Sequence, residues 1–441
     1  MLKAVILVGG PQKGTRFRPL SLDSPKPLFP VAGRPIIQHH IEACMQVKDL
    51  KEILIIGFYP INQMEQFINE MQNLHNINIR YLQEFTPLGT AGGMYHFRDQ
   101  IRTGNPKAFF VLNGDVCADF PLQSLYDFHT TRSNAMISIM STEATRQQSV
   151  NYGCLVFARD TGLVSHYVEK PSSYISSFIN CGVYVCSLDV FSTIATIFNS
   201  REYDFFSNEV NNGCNGKDQG HILWEQEILT PLAGTGKLFT LPVTTWWSQL
   251  KTAGAAIYAN RHYLVTAFIS ERNSQLYRKT HPERLSKTGI KTELSDESLV
   301  CNVIQDVHIH PTASVHPTAT LGPNVSIGAG VTIGPGVRIK ETIVLDNAVI
   351  QDHTLVLHSI VGRGSIIGCW ARVEGTPSDP DPNKPFAKME NPPLFNKEGK
   401  LNPSITVLGG FVNVPSEKIL LNSIVLPHKE LSRNFKNEII L

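Results

Sequence analysis

From residue 1 to about 260, short apolar runs alternate with longer amphipathic stretches. "KAVILVGG", "EILIIGF", "AFFVLNGDV" and "AMISIM" are brief and apolar almost throughout, which predicts strands buried on both faces. "PIIQHHIEACMQV" and "QMEQFINEMQNL" space their apolar residues at helical period and predict the covering helices. Strand–helix alternation predicts an α/β domain with a mostly parallel sheet, whose ligands gather at the carboxyl ends of its strands. Gly9-Gly10 and "NGDV" (113–116) both fall at such ends, so this fold brings them near one another.

The pattern changes near residue 303. Ile309, Val315, Leu321, Ile327, Ile333 and Ile339 recur every six residues. A second series, Ile343, Val349, Leu355, Val361, Ile367 and Val373, follows after a slip in phase. A six-residue aliphatic period predicts a left-handed parallel β-helix, each turn placing its aliphatic residue inside. After Glu374 the period is broken by "GTPSDPDPNKPFAKMENPPLFNKEGKLNP", too rich in proline and charge to form a coil. A projecting loop over about 375–404 is expected there. Three segments result: 1–260, a helical connector over 261–302 containing "THPERLSK", and a β-helix over 303–441.

Composition narrows the function classes. The 441 residues carry 39 Lys+Arg against 38 Asp+Glu, so a net charge of +1 gives no whole-chain attraction to nucleic acid or an anionic membrane. An anion site must therefore be local. The 8 cysteines form neither a disulfide framework nor a zinc-spaced pair, and no apolar run reaches the length of a membrane span. A reduced, cytoplasmic protein is expected.

The stretch "GGPQKGTRFRPLS" (9–21) follows the first strand. Gly9 and Gly14 have Walker spacing, but Thr15 and Arg16 stand where Lys and Ser/Thr belong, and no G-x-G-x-x-G is present. Its "GG…GTRFRPLS", with "PKP" at 25–27, resembles the sugar-nucleotide pyrophosphorylases, and more closely the GDP-mannose pyrophosphorylases. Further motifs stand in family order: "EFTPLGTAGG" (84–93), "LNGDV" (112–116), "NYGC" (151–154), "VEKP" (168–171) and "INCGVYV" (179–185). With the β-helix behind them, the resemblance covers nearly the whole chain and implies a Rossmann-like nucleotidyltransferase domain.

In that family a sugar 1-phosphate attacks the α-phosphate of a nucleoside triphosphate. Because the nucleophile is already an anion, positioning and charge neutralisation carry the reaction. The resemblance implies that Gly9, Gly10, Gly14 and Thr15 cradle phosphates. It gives Arg16 the triphosphate, Lys26 the α-phosphate and Lys170 the sugar phosphate. Gly89, Thr90 and Gly92 would hold the base or nucleoside, Glu169 and Asn180 the sugar, and Glu84, Gly153 and Gln249 would contact GDP-mannose.

Two departures stand out. Pro11, Gln12 and Lys13 replace a single family residue, which lengthens the loop, and Pro11 removes an amide donor. Magnesium in the family is held by an Asp of the NGDV segment and another in a "W-x-D-I-G" segment. Asp115 matches the first, but "TWWSQLKTAG" places Gln249 at the second carboxylate and Lys251 at the Gly. The metal site is incomplete, and Asp119 lies on the following turn. That combination is similar to the regulatory, alpha type of GDP-mannose pyrophosphorylase subunit. The resemblance implies a chain that binds GDP-mannose and restrains a catalytic beta subunit, within homo- and hetero-oligomers built through the β-helix. It also implies that the long loop reaches the partner, with Thr376, Asp379, Asp381 and Lys384 as contacts.

Three other readings are open to the sequence. An active mannose-1-phosphate guanylyltransferase would tolerate Gln249. An acyltransferase would use a β-helix histidine among His308, His310, His316, His353 and His358, several of them in "HPT" turns. A scaffold of the translation-initiation exchange-factor type would have lost ligand binding, against which the intact "PKP", "GTAGG" and "EKP" motifs speak.

Overall fold

A computed structural model describes residues 1–11, 14–209, 221–280, 301–377, 379–390 and 393–441. Gln12 and Lys13 of the lengthened loop, and all but the first residue of "THPERLSK", lie outside the described residues. Two compact units divide the chain. One comprises Met1–Lys13, Ile36–Gln249 and Pro380–Glu390; the other comprises Gly14–Pro35, Leu250–Asp379 and Asn391–Leu441. The basic turn with Arg16 and Lys26 thus groups with the β-helix, and part of the long loop with the sheet.

The first unit is built on a mixed nine-stranded sheet. Strand Leu2–Gly9 runs parallel to both Leu50–Gly57 and Phe109–Asn113, and Asn78–Gln83 extends the parallel half. Helices Ile36–Met45 and Ile61–His75 make the crossovers that parallel strands require. Beyond Phe109–Asn113 the sheet turns mixed, because Phe178–Cys186 enters antiparallel and pairs with Ile137–Glu143 on its other side. Val5, Ile6, Ile55, Val111 and Leu112 are fully buried, as a sheet covered on both faces demands.

The second unit is a left-handed parallel β-helix. Strand Val307–Ile309 stacks on Val325–Ile327 at an 18-residue step, whereas Arg338 stacks on Leu355 and Ile343 on Ile360 at a 17-residue step. The shortened coils move the inward positions. Leu321, Ile327, Ile333 and Ile339 lie in the core as the first series predicts, and so do Val361, Ile367 and Val373. Between them the core takes Val344, Ile350 and Val356, one residue beyond the expected Ile343, Val349 and Leu355. Two turns each shed one residue, so the six-residue count is corrected there by register.

Candidate functional site

In the sheet unit, a cavity of about 180 Å³ opens at the carboxyl ends of Leu2–Gly9 and Leu50–Gly57. Gly9, Gly10, Phe58, Glu84, Gly89 and Thr90 are among its walls. The Glu84 amide donates to Gly57 O at 2.7 Å and the Phe58 amide to Gly9 O at 2.7 Å, which fixes both segments to the strand ends. Gly93 leaves room for Glu84: a Cβ there would lie 2.2 Å from Glu84 Oε1 and would make that side chain shift. Gly89 begins helix Gly89–His96 at φ +73°, with the Ile222 carbonyl where a Cβ would go. The Ala91 and Gly92 amides donate to that carbonyl at 3.1 and 3.4 Å, and Thr90 Oγ1 accepts the Trp224 amide at 3.2 Å. The Gly92 amide is therefore committed to the chain itself.

Farther along the sheet a second group is hydrogen-bonded together. Lys170 Nζ pairs with Glu169 Oε1 at 2.9 Å, and Tyr167 donates its hydroxyl to Glu169 Oε2 at 2.9 Å. Asn180 Nδ2 donates to Tyr167 Oη at 3.1 Å and to Tyr184 Oη at 2.8 Å, and its Oδ1 accepts the Gly182 amide. Gly153 pairs across the sheet with Glu169. Motif reading missed Glu225, in the first turn of the π-helix Trp224–Leu229 beside this group. Burial, with the charges of Glu169 and Asp115, raises its carboxyl above the usual range, against the pull of Lys170. Three adjacent polar residues in "ILWEQEIL" give no sequence signal that singles Glu225 out from Gln226 and Glu227.

Asp115 and Gln249 do meet. Gln249, on the short strand Trp247–Gln249 that pairs with Val116–Ala118, directs its Nε2 to Asp115 Oδ1 at 3.3 Å and Oδ2 at 3.4 Å. An ionised carboxylate only accepts, so the amide nitrogen rather than its oxygen must face it. The amide thus stands across both oxygens of the carboxylate. Among the described residues no cluster of three His, Cys, Asp or Glu is placed to hold a metal. Asp119, on the turn that follows, accepts the Trp246 amide at 3.2 Å. Asp115 is thus one carboxylate facing an amide, so a magnesium ion here would have to complete its shell with substrate phosphates and water. Beneath them, buried His40 faces Ile36 O at 3.0 Å and Asn113 O at 3.2 Å, and desolvation holds its imidazole below the ordinary value.

The remaining sequence-derived residues belong to other segments, most of them in the second unit. Gly14 sits at φ +80°, Thr15 and Arg16 form a single helical turn with Phe17, and Lys26 Nζ is 5.7 Å from the Phe17 ring centre. Thr376 donates to Asn422 Oδ1 at 2.9 Å, Asp379 pairs with Arg261 at 3.1 Å, and Lys384 pairs with Asp381 at 3.8 Å. Residues 380–390 do not stand clear of the sheet unit. Gln148 donates to Lys388 O at 2.7 Å and accepts the Lys388 amide at 2.8 Å, and Lys388 Nζ reaches Thr142 Oγ1 at 3.3 Å. Of the β-helix histidines, His310 and His316 bond to Thr312 and Thr318 within their own turns, and His353 stacks on Trp370 at 4.4 Å. Among the described residues, no helix is long and apolar enough to cross a membrane.

A nucleotidyl transferase family model matches residues 3–225, and a GMPPB C-terminal domain model matches residues 303–440. A Drosophila melanogaster protein named mannose-1-phosphate guanylyltransferase regulatory subunit alpha is 74% identical over 451 residues, covering 100% of both chains. The Danio rerio regulatory subunit alpha-A is 54% identical over 446 residues and the Homo sapiens regulatory subunit alpha 53% over 442, each again covering 100% of both chains.

Proposed function

The chain belongs to the family of mannose-1-phosphate guanylyltransferase regulatory alpha subunits, and on that premise we propose that it is a GDP-mannose sensor with little or no turnover of its own. When occupied, it restrains a catalytic beta partner, with which it assembles through the β-helix. One observation carries the reading: the Gln249 amide faces both oxygens of Asp115. Nucleotidyl transfer needs concentrated positive charge on the transferred phosphate. Binding a finished nucleotide sugar needs hydrogen bonds and shape, and a neutral amide can supply the former.

Guanine suits the cavity beside Glu84. A carboxylate accepts from two donors side by side, and guanine's N1–H and N2–H₂ offer that pair, whereas adenine and uracil do not. Glu169 and Asn180 with Gly153 receive the mannose, and Glu225 stands beside them. Lys170 reaches the sugar-side phosphate after releasing Glu169. Arg16 and Lys26 add positive charge at the phosphates, as the motif resemblance implies. The segment of Thr376, Asp379, Asp381 and Lys384 faces the partner.

Two measurements on the purified chain test the proposal. Given GTP, mannose 1-phosphate and magnesium, it should release no pyrophosphate above background. Calorimetry should show GDP-mannose binding that survives EDTA and exceeds UDP-glucose binding. Turnover near the ordinary enzyme median of about 10 s⁻¹ would overturn the reading.

A further inference from the structure

Asn260, fully buried on helix Ala253–Thr280, joins two elements distant in sequence. Its Oδ1 accepts the Ala32 amide at 2.8 Å and the Ser326 hydroxyl at 2.7 Å, while its Nδ2 donates to Asn324 O at 3.4 Å. Asn324 and Ser326 belong to a coil of the β-helix. Ala32 is the bend of the hairpin made by Pro30–Val31 and Arg34–Pro35. Two strands of two residues each cannot anchor a hairpin by their own ladder. An amide, offering an acceptor oxygen and donor hydrogens at once, holds both sides together.

The hairpin is linked to the basic turn by aromatic packing. Phe29, immediately before Pro30, meets Phe17 edge to face at 5.0 Å, and both are buried. Phe17 follows Arg16 in the chain and lies beneath Lys26 Nζ. On the other side Asn324 is itself held, donating from Nδ2 to Glu341 Oε1 at 2.8 Å, and Arg261 pairs with Glu341 Oε2 at 3.0 Å. Both faces of the joint are thereby fixed, and the Asn260 amide bonds to each.

We propose that Asn260 is a positioning residue that seats the basic turn of Arg16 and Lys26 on the β-helix, so that the turn's anion affinity depends on the solenoid rather than on the strand it follows. The inference rests on the reading that this turn receives phosphates.

The test uses the full chain and three measurements: hydrogen exchange of residues 14–35, the Kd for inorganic pyrophosphate and the Kd for guanosine. Asn260→Ala should speed exchange over 28–35 by about tenfold and weaken pyrophosphate by about tenfold, with exchange in the β-helix and the guanosine Kd unchanged. Asn260→Asp keeps both acceptor bonds and should hold pyrophosphate affinity within about threefold of the natural chain. Unchanged pyrophosphate binding in Asn260→Ala overturns the inference. So does an equal loss of guanosine binding with general acceleration of exchange, which would mark a merely structural residue. A natural chain that binds guanosine but ignores pyrophosphate overturns the phosphate role of the turn itself, and the inference with it. One that binds neither overturns the sensor reading.

Discussion

Beside Glu84 the chain leaves a cavity of about 180 Å³, whereas in front of Asp115 it places its own Gln249 amide. Both places lie at the carboxyl ends of strands in one sheet, where an α/β fold concentrates its chemistry. One is open and carries a carboxylate matched to two adjacent donors. The other is closed by a neutral group that satisfies the carboxylate without a cation. On the sensor proposal the difference separates recognition from phosphate chemistry, because the two would draw on different residues a strand or more apart. A regulatory chain can keep the first and relinquish the second.

The largest expected effect removes the open side altogether. Gly89→Val would force a Cβ to within 2.5 Å of the Ile222 carbonyl at φ +73°. GDP-mannose affinity should fall by at least about 100-fold, roughly 3 kcal/mol, in calorimetry, while thermal melting shows a folded chain. Retained affinity would place the nucleoside elsewhere. Glu84→Gln is gentler, since it keeps the volume and removes the charge. It should weaken GDP-mannose by about 10- to 100-fold and erase the preference over UDP-glucose, the ordinary worth of a two-point contact to a base edge.

Gln249→Asp makes the closed side resemble a metal site. Two carboxylates would then face each other, so GDP-mannose binding without magnesium should drop by about tenfold and recover when magnesium is added. The natural chain should show no such dependence, and equal titrations with and without EDTA check it. Magnesium-dependent binding in the natural chain would collapse the contrast.

The smallest effect separates acid loss of binding from acid loss of fold. His129 is buried against Ser138 Oγ at 2.9 Å, and desolvation lowers its imidazole to about 4. The folded chain therefore holds fewer protons than the unfolded one between that value and about 6.5, so stability rises with pH across the window. It is fully present above about 6.5 and is lost as pH falls toward 4. Urea denaturation should show about 1 kcal/mol less stability at pH 5.5 than at pH 7, and His129→Gln should flatten that difference. Loss of GDP-mannose affinity beyond that over the same range belongs to the site rather than to the fold.

By itself the sequence determined the two folding grammars and the motif set. A short β-branched run such as "AVILV" followed by Gly-Gly marks an interior strand, and a six-residue aliphatic period marks coils, since each pattern is dictated by burial. Gly89 and Gly93 were legible as glycines of a motif, and Gln249 as a residue out of pattern, because these are matters of residue type. Which inward residue a coil uses was not legible. Ile350 rather than Val349 faces the core because neighbouring coils shortened to 17 residues, and adjacent aliphatics are equal candidates until register chooses. Nor was Glu225, whose role depends on the neighbours a π-helix turns it toward, nor the seat of Lys388 on Gln148, which joins residues 240 apart. The meeting of Asn260 with Ala32 and Ser326, and of Gln249 with Asp115, was likewise decided only in the folded chain. Periodicity is a local property fixed by where water is excluded, while a hydrogen bond between distant segments exists only once packing has set both ends.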